Sequence, residues 1–245
     1  MSRHPWWRLG VHKKYHDGNI SPACRGWIHA LSAAMALPLL GWWTAEPAVP
    51  RSLVAMLVLK VLVYAASAAF HLVAWKLPQQ ERRALIVDVS LIPLGILGGV
   101  LPFSDEGGLG FATDFALGAA LTLLNVVFVA FQFRHGPSFQ PGDSGPRSLV
   151  LVGYWLYNEV VAGRVLGFDN WLWQLTPVLY LTAFACANGV DAHRAKVAEP
   201  VVLPHHRKGV WSLHEDFHLM LLIADAFCAW IAWQLAFSPQ NVLLS

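Results

Sequence analysis

The chain has 245 residues, of which 56% are hydrophobic and 13% charged, with 12 Trp and a net charge of +2. A soluble domain carries about 25% charged residues, so half that charge among so many aromatics points to an integral membrane protein. So small a net charge gives no ground for a nucleic-acid partner, and Cys24, Cys186 and Cys228 form neither a C-x-x-C motif nor a disulfide framework.

A helix crossing the hydrocarbon core takes roughly 20 apolar residues, fewer if short or oblique. Residues 1–25 form a basic amphipathic tail with Trp6 and Trp7, suited to the membrane surface and without the apolar region of a signal peptide. The predicted spans are 26–44, 51–75, 84–103, 111–133, 148–162, 171–190 and 212–237. The fifth is the shortest and carries Asn158 and Glu159. Between the spans lie a Pro-containing turn, a polar connection at 76–83, an acidic, glycine-rich loop at 104–110, a Pro/Gly/Ser loop at 134–147 and a basic loop at 191–211. The expected organisation is a cytoplasmic tail (1–25), one transmembrane domain (26–237) and an external tail (238–245).

Charge asymmetry orients the spans. Of the 17 Lys and Arg residues, 14 fall on the side holding the N-terminus; Arg51 and Arg164 lie on the other, and Lys60 is inside a span. This predicts an all-α bundle of seven transmembrane helices, N-terminus cytoplasmic and C-terminus outside. An even number of spans would spoil the split.

Depth then brings particular residues together. Ser67 and His71 lie near the cytoplasmic end of the second span, Asp88 near the start of the third, and His214 and His218 in the first two turns of the seventh. Ionisable groups inside spans are costly and face the bundle interior or a water-filled cavity. His214 and His218 are one helical turn apart on one face and can grip one metal ion, for which Zn²⁺ is the usual partner of imidazole. His71 is the candidate third ligand.

Ser67-x-x-x-His71, Asp88-x-Ser90-x-Ile92 and His214-Glu215-x-Phe217-His218 resemble, in order and spacing, the three motifs of the hemolysin III and progestin-and-adipoQ-receptor family. The opening Arg25-Gly26-Trp27-Ile28-His29-Ala30 is also similar to bacterial hemolysin III proteins, and the resemblance runs over about residues 25–236. It implies seven helices with a cytoplasmic N-terminus in a bacterial inner membrane. It also implies a zinc held by His71, His214 and His218, with Asp88 contacting the zinc through a water and Ser67 beside it. The related alkaline ceramidases hydrolyse lipid amides, which makes a membrane lipid the expected substrate or ligand. Val89, the run Gly95-Ile96-Leu97-Gly98-Gly99 and Asp225 depart from the family pattern.

Three neutral imidazoles leave a fourth zinc position open, as in catalytic sites. Bound zinc brings the pKa of a water to about 7. Asp88 is the candidate to orient or deprotonate that water, and Ser67 to donate to a developing oxyanion. The expected chemistry is hydrolysis of lipid amides or esters. The alternative is a non-enzymatic receptor, sensor or membrane-permeabilising protein with a structural zinc, its polar residues bonding helix to helix.

His214-Glu215-Asp216-Phe217-His218 also fits the H-E-x-x-H protease signature. Asp225, the last carboxylate after it, lies about 10 Å along the helix and cannot be a third ligand; Glu215 is expected near the headgroups. Lys60 is expected either to pair with Asp225 or Glu159 or to snorkel outward. His29 reads as helix packing or as support for a metal ligand, and Asn125 and Gln132 as pairing with neighbouring helices. His193, His205 and His206 belong to the basic loop at the headgroups, and His4, His12 and His16 to the tail.

Overall fold

The computed structural model describes residues 24, 26–135, 145–194, 203–206 and 211–237. The 1–25 tail apart from Cys24, most of the 134–147 loop, much of the 191–211 loop and the 238–245 tail lie outside the described residues. The described chain is helical: α1 (Trp27–Ala45), α2 (Arg51–Leu72), α3 (Pro78–Ser90), α4 (Ile92–Val100), a 3₁₀ turn (Leu101–Phe103), α5 (Ser104–Gly107), α6 (Phe111–His135), α7 (Gly145–Leu166), α8 (Trp171–Arg194) and α9 (Leu213–Phe237).

Among the described residues, six segments are long and apolar enough to cross a membrane: Trp27–Ala45, Arg51–Leu72, Pro78–Gly107, Phe111–Phe131, Leu149–Leu166 and Leu213–Phe237. Their outward faces expose large apolar side chains such as Met35, Leu62, Leu123, Val127 and Leu149. A surface of that kind is stable against lipid and not against water. These are the marks of a multi-pass membrane protein.

The third span begins earlier than its apolar run, because Pro78 starts α3 with its fixed φ and missing N–H at a position that needs no donor. It is broken once. Pro93 cannot donate to Val89, and the N–H of Leu94 turns to Leu91 (3.0 Å), freeing two carbonyls inside the membrane. The Asn125 amide of α6 donates to both, at 3.0 Å to Val89 and 3.1 Å to Ser90. That pairing across helices holds the end of α3, and with it Asp88, against the bundle.

Two expectations need correction. Residues 104–107 are helical, and the loop shrinks to 108–110; the Ser104 hydroxyl donates back to Val100 (3.3 Å), and Asp105 and Glu106 sit in the first turn, where carboxylates suit the helix dipole. The fifth helix is not short. Its 22 residues run past the apolar stretch at both ends, and it stops at Gly167, whose φ of 89° places it in the left-handed region and whose N–H bonds Gly163 (2.9 Å).

The core lies between α1, α2, α4, α7 and α9, where Trp43, Leu53, Met56, Leu97, Val100, Val161 and Ile231 are buried. Polar groups are buried beside it. They cluster at two levels, one at the junction of α1, α2, α3 and α9 and the other deeper in the bundle.

Candidate metal centre

The site begins with the end of α2 meeting the start of α9. Ser212 caps α9 together with Glu215: the Glu215 carboxylate accepts the Ser212 backbone N–H (2.8 Å) and hydroxyl (2.5 Å), the carboxylate half of a capping box. Glu215 is completely buried by this work, not at the headgroups as expected, and is turned to the cap rather than toward a metal. The protease reading loses its base. With the helix fixed there, His214 and His218 stand one turn apart and meet edge to face, ring centroids 4.4 Å apart.

His71 comes to them from the last turn of α2, its ring 5.6 Å from that of His214 and 5.8 Å from that of His218. Each of the three offers a ring nitrogen, and the three nitrogens lie within 4.8 Å of one another. The His214 and His218 Nε2 atoms are 2.7 Å apart. Ligands of a tetrahedral ion at 2.0–2.1 Å stand about 3.3 Å from each other, so a small adjustment of these rings seats a metal.

A fourth histidine supports the third. His29 Nε2 is 2.7 Å from His218 Nδ1. When Nδ1–H of His218 donates to His29, the Nε2 lone pair is left free toward His71 and His214, the outer hydrogen bond that metal-ligating histidines make. His29 is buried and its ring stacks on Tyr64 at 5.6 Å. Gly26 makes the approach feasible: at φ 85° a side chain is disfavoured, and a Cβ there would lie 2.8 Å from the His71 Cβ.

Ser67, one turn before His71 on α2, is buried, and its hydroxyl is within hydrogen-bonding reach of the Asp88 carboxylate on α3. Asp88 is half-buried and stands outside the group whose ligand atoms converge.

A second group, His205, His206 and Asp216, also has ligand atoms within 4.8 Å. Its hydrogen bonds argue for a different role. His206 Nδ1 accepts the Leu203 N–H (3.0 Å), so Nε2 carries the proton and donates to Asp216 (2.5 Å). His205 (2.8 Å) and the Trp211 indole (2.7 Å) also reach Asp216. A ring whose other nitrogen is an acceptor is a poor metal ligand. The cluster ties the 203–206 segment to the first turns of α9, where His205 and His206 both hold Asp216. Two histidines and a tryptophan ahead of an aspartate were the available signal, but nothing periodic indicates the loop's return.

Deeper in the bundle Lys60 meets Asp225 at 2.6 Å, both nearly buried, and donates also to the Gly95 carbonyl (2.8 Å). Tyr64 (2.5 Å) and Tyr180 (2.7 Å) complete the carboxylate's partners. The expected Lys60–Asp225 pair is therefore present, Glu159 is not its partner, and Lys60 does not snorkel. The two tyrosines went unremarked in the sequence, although Tyr64 is one turn from Lys60.

Scans against protein-family models and a search of curated proteins give no match.

Proposed function

We propose that the chain is a seven-helix protein of the hemolysin III and progestin-and-adipoQ-receptor kind, in which a zinc at this site serves hydrolysis of an amide or ester bond in a membrane lipid. The convergence of the His71, His214 and His218 ring nitrogens beside Ser67 and Asp88 carries the reading. These three imidazoles would hold the ion, with His29 orienting His218. Zinc supplies a Lewis acid and an acidified water. Asp88, on α3, would serve as the general base beside such an ion. Ser67, buried one turn before His71, would position Asp88 or donate to the developing oxyanion.

The crossing number has support from the same contacts. His71 lies in the last turn of α2 and His214 in the first of α9, and their meeting supports an even number of crossings between them. Four units lie between: α3 to α5, α6, α7 and α8. The 24 residues of α8 extend about 36 Å, enough for a hydrocarbon core of about 30 Å. Counting α8 gives seven crossings and puts the termini on opposite sides.

Metal content and lipid-amide hydrolysis of detergent-purified protein test the reading together. The expected result is a stoichiometric zinc, lost with hydrolysis in both His71→Ala and His218→Ala. Asp88→Asn should keep the zinc while turnover falls about 10²–10⁴-fold. Zinc without hydrolysis of any lipid amide or ester would assign the site to the receptor or structural reading. Absence of metal from the wild type would remove the site.

A further inference from the structure

α2 and α9 carry one pattern in opposite directions. Lys60 and His71 stand eleven residues apart on one face of α2, with Tyr64 and Ser67 between them. His214 and Asp225 stand eleven residues apart on one face of α9. The end of α2 meets the start of α9, so the two faces touch at two levels about 16 Å apart. One level holds the histidines and the other the Lys60–Asp225 ion pair. None of the proposed chemistry uses the second.

Tyr64 joins the levels. Its hydroxyl donates to Asp225 (2.5 Å), a carboxylate that Lys60 (2.6 Å) and Tyr180 (2.7 Å) also hold. Its ring lies against His29 of α1, with centroids 5.6 Å apart and planes 26° from parallel. His29 in turn meets His218 Nδ1 through its Nε2 (2.7 Å), while its own Nδ1 is buried without a hydrogen-bond partner. A ring held by one hydrogen bond can turn about it, because the outer torsion of a histidine has broad wells. The face of Tyr64 removes that freedom, since paired aromatic rings favour a defined geometry.

We propose that Tyr64 is a positioning residue of the metal centre. Anchored by Asp225, it holds the His29 ring so that Nε2 faces His218, and through His218 it sets the affinity for the ion. The inference rests on the metal reading of the three histidines and not on hydrolysis. It gives the Lys60–Asp225 pair a task beyond bonding helix to helix, which is to fix the height of the tyrosine behind the metal centre.

Tyr180 supplies the control. It donates to the same carboxylate from α8, but its ring meets Trp155 edge to face (6.3 Å) and not His29. Removing either hydroxyl takes one donor from Asp225, so a general loosening of the bundle would act alike in both variants.

The test is zinc affinity by chelator competition on the full chain in detergent, with the thermal midpoint of each variant. Tyr64→Leu should weaken zinc binding about ten-fold, the lower end of the loss that follows removal of a partner behind a ligand. Tyr64→Phe keeps the ring without its anchor and should weaken it by a smaller factor. Tyr180→Phe should lower the thermal midpoint and leave the affinity at the wild-type value. In a His29→Ala background, Tyr64→Leu should bring no further loss, because its action passes through His29. The absorption bands of bound Co²⁺ should shift in Tyr64→Leu and stay unchanged in Tyr180→Phe. Undiminished affinity in Tyr64→Leu, equal affinities in Tyr64→Phe and Tyr180→Phe, or a Tyr64→Leu loss that persists beside His29→Ala would overturn the proposal and leave the metal centre standing. If Tyr64→Leu does not fold, the comparison of the two phenylalanine variants decides. A wild type that binds no metal would remove the centre and the proposal together.

Discussion

At the scale of single residues, His29 and Lys60 show how much of a site's strength lies outside its ligands. The His29 Nε2 stands 2.7 Å from the Nδ1 of His218, and where it accepts that N–H the His218 Nε2 lone pair is left free on the side of His71 and His214. Removing such a partner weakens metal binding about 10–100-fold. His29→Ala should show that loss in chelator competition, and His29→Gln should recover part of it because the amide oxygen accepts the same N–H. A histidine that only packed would not distinguish the two replacements. Lys60 offers a different lesson. Breaking a buried ion pair from one side costs about 3–5 kcal/mol, because the charge left behind has no partner. Lys60→Met should show that cost in thermal unfolding, and Lys60→Met with Asp225→Asn should recover most of it, since the Asn oxygen still accepts from one tyrosine and its amide N–H can donate to the hydroxyl oxygen of the other. Exchanging the two charges should not rescue. An aspartate at position 60 would face the Gly95 carbonyl that the lysine now satisfies. The pair itself was legible in the sequence, because residue spacing along a helix fixes depth and face. The direction of a tyrosine hydroxyl depends on where a neighbouring helix stands, which spacing along one helix does not contain.

At the scale of elements, the bundle is closed by places where backbones touch. A Cβ added to Gly107 of α5 would lie 2.5 Å from the Val161 carbonyl oxygen of α7, and backbone at that distance cannot swing aside as a side chain can. Gly107→Ala should therefore lower the thermal midpoint by separating α5 from α7. Gly41, in the exposed face of α1 with nothing within 4 Å, is the control: alanine there should stabilise by up to about 1 kcal/mol through helix propensity. The same contact explains why 104–110 misled as a loop. Its acidic, glycine-rich composition is that of a turn in water, whereas here Gly107 is small to fit against another helix. The long apolar runs were legible because lipid demands them of every span. The ends of α7 were not, since its first turn draws on Gly145, Pro146 and Arg147, residues read as loop by composition.

For the whole molecule, the decisive question is whether α8 crosses. Its Pro177 and the polar run Asn188 to Arg194 dilute its apolar character, and Trp171–Arg194 is not among the six segments that pass by length and composition. The metal centre sets a stricter condition, because α2 must end and α9 must begin at one face of the membrane for His71 to meet His214 and His218. If α8 stayed on one side, three crossings would separate those helix ends and the histidines would lie a membrane thickness apart. Single cysteines in a chain cleared of Cys24, Cys186 and Cys228 read this directly, with a membrane-impermeant maleimide on intact spheroplasts. Asp169→Cys, between α7 and α8, should label without permeabilisation. Pro204→Cys, exposed ahead of α9, and Lys76→Cys, between α2 and α3, should label only after it. Labelling of position 204 from outside would mean six crossings, and the three histidines could not then share an ion. The same result would place both termini in the cytoplasm and bring the basic residues of 191–211 to the outer face, against the bias of Lys and Arg toward the inner side. Charge distribution and metal geometry thus make one prediction from unrelated residues, and labelling at position 204 puts both at risk together.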